Sequence, residues 1–190
     1  MTIAAVVLAA GGGTRFTDSG GSGPKQLAEV GGVALVDRVL ASVVAAGFDE
    51  VVLVDGSTDL VDRSTEAVVV LHNPHWAGGI ATSLQVALVH ARSQGHAAVV
   101  VGLADQPGVT ADAWRALAAA RSDPPVAVAT YAGRRANPVR LDASIWDLLP
   151  TTGDEGARAL MRDRPDLVGE VPCTGDQSDV DTVEDLERWS

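Results

Sequence analysis

The chain is poor in cysteine: Cys173 stands alone among 190 residues, so no disulfide can close within it. Such usage suits a reducing compartment. Aromatic side chains are scarce at 4%, which leaves alanine and valine to build the core. Positive charge is short as well. Against 14 Lys and Arg stand 25 Asp and Glu, a formal net charge of −11. That balance argues against nucleic acid as a partner, because such binding relies on many cationic contacts to phosphate. No apolar run approaches the ~20 residues of a membrane span, and the first residues lack the basic start and cleavage pattern of a secretory leader. A soluble cytoplasmic protein is expected.

What is present is enough apolar material, 46% of residues, for one full core, and a single domain over 1–190 is expected. No internal repeat, low-complexity tract or long linker divides the chain. Strand patterns alternate with helix patterns. "IAAVVLAA" (3–10) reads as a buried parallel strand, and "EVVLVD" (50–55), "AVVVLHN" (67–73), "AAVVVGLAD" (97–105) and "PVAVATY" (125–131) follow it. Helices are expected over 35–47, where Leu35, Val36, Val39, Leu40, Val43 and Val44 share a face, and over 80–95. A third, "ADAWRALAAAR", would be capped by Thr110. The last third predicts a short strand at 137–141, a helix at 154–164, an edge strand at 167–172 and a closing helix at 182–190. This order implies a layered α/β domain with a mainly parallel sheet, in which ligands bind beyond the carboxyl ends of the strands.

That edge is where the glycines fall. The first strand runs into Gly11-Gly12-Gly13, then Arg15, then "TDSGGSG" and Pro24-Lys25. The dinucleotide fingerprint fails because Phe16 stands at its third glycine, and the P-loop fails because Pro24 follows Gly23. A glycine turn can still aim backbone N–H groups at an anion, with Arg15 and Lys25 neutralising a triphosphate. The bland alternative is a surface connection with both cations solvated. Asp105, which ends an apolar strand, could supply a hard oxygen to Mg²⁺ or could simply open a turn at "DQPG". Asp181 could be a second ligand or a cap for the last helix. His72, His75, His90 and His96 are scattered without metal-ligand spacing and read as surface or packing residues. Cys173 reads as an inert thiol.

"LAAGGGTRF" with "PKQL" resembles the signature loop of the MobA-like nucleotidyltransferases, the molybdenum cofactor guanylyl- and cytidylyltransferases and their kin. "NPHWAGGIATSL" (73–84), "GLADQPGVT" (102–110), "GDEGARALM" (153–161) and "DVDTVEDL" (179–186) resemble further motifs of that family, in family order over nearly the whole chain. The resemblance implies a three-layer α/β/α Rossmann-like fold with a mainly parallel sheet. It implies nucleotide binding by Leu8, Ala10, Gly11, Gly12 and Gly13, with Arg15 and Lys25 on the phosphates and Asn73, Gly79 and Ser83 near base or ribose. Asp105 and Asp181 would hold Mg²⁺, with Arg15, Lys25 and Asp105 carrying catalysis. Asn137, Asp154 and Arg158 would face the acceptor, although Asn137-Pro138 stands where relatives commonly have His-Pro.

Ala10 belongs to the loop form that tends to take CTP; a glycine there tends to go with GTP. The implied reaction moves CMP from CTP to the phosphate of molybdopterin and releases pyrophosphate, with a molybdoenzyme as the eventual client. Other acceptors in reach of the resemblance are methylerythritol phosphate, favoured by the stretched loop before Lys25, and phospholactate. A non-catalytic helper of a molybdoenzyme is the rival of a different class.

Overall fold

The computed structural model describes residues 1–189. Strand β1 (Ile3–Leu8) leads into a short helix, α1 (Thr14–Asp18), inside the expected loop. A small hairpin, β2 (Glu29–Val30) with β3 (Val33–Ala34), precedes α2 (Leu35–Ala46). Then come β4 (Glu50–Asp55), β5 (Val69–His72), α3 (Ile80–Ser93), β6 (Ala98–Leu103) and α4 (Ala111–Ala118). The C-terminal third adds β7 (Val126–Tyr131), β8 (Arg134–Asp142), α5 (Ala157–Asp163), β9 (Val168–Pro172) and α6 (Val183–Glu187). The closing helix is thus shorter than the expected 182–190, and Ser190 lies outside the described residues.

Seven strands form one sheet in the order β5-β4-β1-β6-β8-β7-β9. The first four neighbours are parallel, β8 runs antiparallel to both β6 and β7, and β9 returns parallel to β7 as the edge. Period-2 alternation gives each face its own core. Ala5 and Val7 of β1 pack with α2 and α4, while Ala4, Val6 and Leu8 pack with α3 and residues 145–149. The sheet is therefore covered on both sides, which is why its strands read as unbroken apolar runs. Each face has a tryptophan anchor. Trp114 of α4 fits against β6 only because Gly102 has no side chain; a Cβ there would stand 2.6 Å from its ring. Trp146 is buried opposite and donates Nε1–H to the Leu141 carbonyl at 3.1 Å.

Several expectations change in detail. Val44 is exposed, because the α2 stripe turns away from the sheet after Val43. The short strand at 137–141 is a nine-residue strand, entered through a two-residue turn in which Ala132 and Gly133 both have positive φ. The helix expected from 154 starts at Ala157, with Gly156 rather than Asp154 at its cap. Thr110 does cap α4, accepting from Ala113 N–H at 3.2 Å, and Gly47 ends α2 in the left-handed conformation.

Candidate active site

Parallel pairing of β1 with β6 ends in the register Leu8↔Leu103, so the glycine loop and Asp105 leave the sheet side by side. Ala104 N–H donates to the Leu8 carbonyl at 3.1 Å, and Ser57 N–H, beyond β4, donates to the Ala10 carbonyl at 3.1 Å. Gly13 caps α1 with φ +64°, and a Cβ there would stand 2.9 Å from Lys25 Cβ. Beneath the loop lies Gln26, buried, donating Nε2–H to the Ala9 carbonyl at 2.7 Å and the Gly11 carbonyl at 2.6 Å. One amide thus holds two loop carbonyls on the protein side.

Lys25 is the centre of the charge cluster. Its Nζ donates to Asp105 Oδ2 at 2.7 Å and to Asp181 Oδ1 at 3.0 Å, and Arg15 Nη1 donates to Asp181 Oδ2 at 2.6 Å. The two carboxylates are 76 residues apart in sequence and are clasped by Val180 N–H donating to the Asp105 carbonyl at 2.8 Å. Burial alone would depress the Lys25 ammonium, but Asp105 and then Asp181 outweigh it and hold it above the ordinary lysine value. Crowding by protein, then the Asp105 carboxylate, lift the Asp179 carboxyl above the usual aspartate range, although much of that residue is still open to solvent. Gln106 carries the cluster further: it donates to Asp179 Oδ1 at 2.6 Å and accepts from Asn137 Nδ2 at 3.1 Å.

The donor set fits a divalent cation. Two aspartates already share one cationic group, and Asp105 Oδ1 is buried without a hydrogen-bond partner. Among the described residues no three His, Cys, Asp or Glu side chains converge as a complete metal cage. An ion at Asp105 and Asp181 would therefore complete its shell with phosphate oxygens and water, the habit of Mg²⁺.

Next to the cluster opens a cavity of about 560 Å³. Leu84, Val101, Val128, Val139 and Met161 give it apolar walls, and Arg15, Asn137, Asp154, Arg158 and Asp179 stand around it. The structure thus gathers the three residues expected at the acceptor, together with Arg15. Arg158 has no ion-pair partner among the described residues. Asn73 and Ser83 are placed differently. Both are buried, and Asn73 Nδ2 donates to Ser83 Oγ and to Thr82 Oγ1, each at 2.9 Å, while its Oδ1 accepts from His75 N–H. Their polar groups are spent on seating the start of α3. Gly79, at φ +98°, presses against Gly153, where a Cβ would stand 2.4 Å from the Gly153 carbonyl.

The histidines are less idle than their spacing suggests. His72 Nδ1 pairs with the buried Asp55 at 2.7 Å, and His90 and His96 share Glu50 at 3.1 and 3.0 Å. The first pair sits at the carboxyl edge of the sheet and the second at the opposite end; both arise only from strand order. Cys173 donates Sγ–H to the Val171 carbonyl, and burial pushes its thiol up, as suits an unreactive group.

Fold and edge together define an α/β protein of nucleotidyltransferase architecture. Within that class the MobA-like NTP transferase domain matches residues 5–168, and the chain belongs to this family. It is 30% identical to nicotine blue oxidoreductase of Paenarthrobacter nicotinovorans, across 98% of this chain and 95% of that protein. The crystal structure of Rv0371c from Mycobacterium tuberculosis H37Rv superposes with a TM-score of 0.83 at 28% identity, over 100% of this chain and 97% of that one. Rv0371c in complex with manganese gives a TM-score of 0.80, at the same identity and coverage.

Proposed function

We propose that the protein is a divalent-metal-dependent cytidylyltransferase that moves CMP from CTP to the phosphate of a molybdopterin-type acceptor. The observation that carries this reading is the Asp105–Lys25–Asp181 bridge beside Gly11–Gly13, joined through Arg15 to the rim of an apolar-walled cavity. In the reaction an oxygen of the acceptor phosphate forms a bond to the α-phosphorus. The bond from that phosphorus to the β-phosphate oxygen breaks, and its electron pair leaves with pyrophosphate. The acceptor is already an anion, so no side chain need take a proton from it.

This chain's residues supply position and charge. Gln26 holds the loop carbonyls inward, which leaves the turn's N–H groups for phosphate oxygens. Lys25 and Arg15 neutralise the triphosphate; Arg15 is 77% exposed and reaches the cleft from the rim. A divalent ion held by Asp105 and Asp181 would withdraw charge from the phosphates as the bond breaks. The manganese complex of Rv0371c supports a divalent ion, and magnesium is the choice for a site of hard oxygens. Fixed cations aimed at developing charge account for most of the expected acceleration.

Ala10 supports CTP through the loop form it shares with cytidine users. The apolar walls support a flat ring system as the body of the acceptor, with Asn137, Asp154 and Arg158 at its polar edge. A polyol acceptor such as methylerythritol phosphate would turn its hydroxyls toward hydrocarbon, and phospholactate would leave much of the space unfilled. Among the described residues no helix is long and apolar enough to cross a membrane, in keeping with work in the cytoplasm for a molybdoenzyme client.

The test is pyrophosphate release from CTP or GTP with Mg²⁺ and molybdopterin. CTP-dependent release is expected; nucleotide binding without release would favour a carrier that assists the molybdoenzyme. A second reading comes from the oxidoreductase relative, whose likeness spans 98% of this chain. Reduction of nicotine blue by a supplied electron donor, with no pyrophosphate formed from CTP, would establish that reading instead.

A further inference from the structure

Trp76 lies in the turn between β5 and α3, yet it packs across two other loops. A Cβ on Gly12 would stand 3.3 Å from its six-membered ring, and one on Gly56 would stand 2.6 Å from its Cβ and 2.9 Å from its Cγ. The indole therefore runs from the end of β4 to the glycine turn after β1, in a slot that two glycines leave open. Ala10 Cβ borders the same slot, 2.8 Å from the Cβ position of Gly56. Despite this seating Trp76 stays 36% exposed, whereas Trp114 and Trp146 are buried. An apolar residue held by three loops at a sheet edge still leaves part of its surface to solvent.

The neighbours show what that face would meet. On one flank of the turn Gly13 abuts Lys25, whose ammonium binds the carboxylates; one residue earlier, Gly12 abuts the indole. The cavity with Asn137 and Arg158 opens on the β6–β8 side, and Trp76 takes no part in its walls. A triphosphate on the glycine turn thus has the acceptor space to one side and an aromatic surface to the other. We infer that Trp76 is the stacking platform for the nucleobase, a binding residue that fixes where the nucleoside lies while remaining tolerant of base identity. The inference rests on the nucleotide reading of the glycine turn. A ring face binds any base through stacking, so discrimination between cytosine and guanine falls to polar groups elsewhere.

The experiment measures binding of CTP, GTP and inorganic tripolyphosphate, each with MgCl₂, to the wild type, Trp76→Leu and Trp76→Phe. Leucine keeps an apolar filler in the slot without a ring face, and phenylalanine restores one. Trp76→Leu is expected to bind CTP and GTP about tenfold more weakly, to bind tripolyphosphate as the wild type does, and to be largely rescued in Trp76→Phe. CTP should also quench the wild-type tryptophan emission more than that of Trp76→Phe. Unchanged CTP binding in Trp76→Leu overturns the inference, and so does an equal loss for tripolyphosphate, which would mark Trp76 as packing for the loop. A wild type that binds neither CTP nor tripolyphosphate overturns the nucleotide reading itself.

Discussion

Replacing Lys25 with methionine keeps the unbranched stem of the side chain and deletes one ammonium. In the folded protein that ammonium lies 2.7 Å from Asp105 and 3.0 Å from Asp181, with only 13% of its side chain exposed. Its removal leaves two facing carboxylates, and Asp179 beside them, without their central counter-charge. Breaking a fully buried pair costs about 3 to 5 kcal/mol, because the remaining charge is stranded. Here the partners are 22% and 31% exposed, so water relieves part of that cost and about 2 to 3 kcal/mol is expected. For a chain of this size the loss lowers the thermal midpoint by roughly 4 to 12 °C.

The loss carries a pH signature with a definite sign. The Asp179 carboxyl, already held above the usual aspartate range by burial and Asp105, loses the ammonium that pulls it down, so its penalty is present above the folded pKa and fades as pH falls toward the ordinary aspartate range. The gap between Lys25→Met and wild type should narrow from pH 8 to pH 4.5. Millimolar Mg²⁺ should raise the midpoint of the variant more than that of the wild type, since the ion replaces the missing ammonium. Unfolding curves that coincide with wild type at every pH and ignore Mg²⁺ would refute the reasoning.

Other perturbations test the same corner. Asp105→Asn should fold normally and lose turnover, read as pyrophosphate release against an unchanged circular dichroism spectrum. Asp179→Asn should stabilise the protein at pH 8, because it removes a carboxylate whose folded pKa is raised; the gain should vanish at acid pH, as followed by urea unfolding. Gln26→Leu strands the buried Ala9 carbonyl, while the Gly11 carbonyl keeps the Ser57 hydroxyl, and a loss of about 1 to 3 kcal/mol is expected in the urea midpoint at constant slope. Gly13→Ala forces a Cβ into a left-handed conformation 2.9 Å from Lys25 Cβ; a cost of about 1 to 3 kcal/mol and weaker tripolyphosphate binding should appear together in calorimetry.

The strands β1, β4, β6 and β7 were legible because each is a short apolar run buried on both faces. Asp105 could be singled out as a charge at the end of an apolar run, and Arg15 and Lys25 as cations beside a glycine turn in an acidic chain. Asp181 could be read only as ligand or cap, since nothing in "DVDT" shows that Val180 will clasp the Asp105 backbone. Gln26 was invisible because a lone amide between Lys25 and Leu27 shows no partner until the loop folds back over it. The His90–Glu50–His96 cluster escaped for a like reason, being assembled by β1 drawing β4 and β6 to its two sides. Asn73 and Ser83 show the reverse relation between motif and geometry. Motif position put them at the cleft, but their side chains satisfy one another beneath it.

Strand β8 has a consequence for how this architecture can change. It is joined to β7 by a two-residue turn, and its opening residues Arg135, Ala136 and Asn137 line the cavity, whereas the glycine turn, Ser57 and Asp105 arrive through long crossovers. One wall of the cavity is therefore local in the chain, a ribbon of 17 residues from Val126 to Asp142. Such a ribbon can be resequenced, or exchanged for a cousin's, without re-threading the crossovers. Diversification on this side can exchange one contiguous segment, while the opposite side changes residue by residue on loops that lie far apart in the chain.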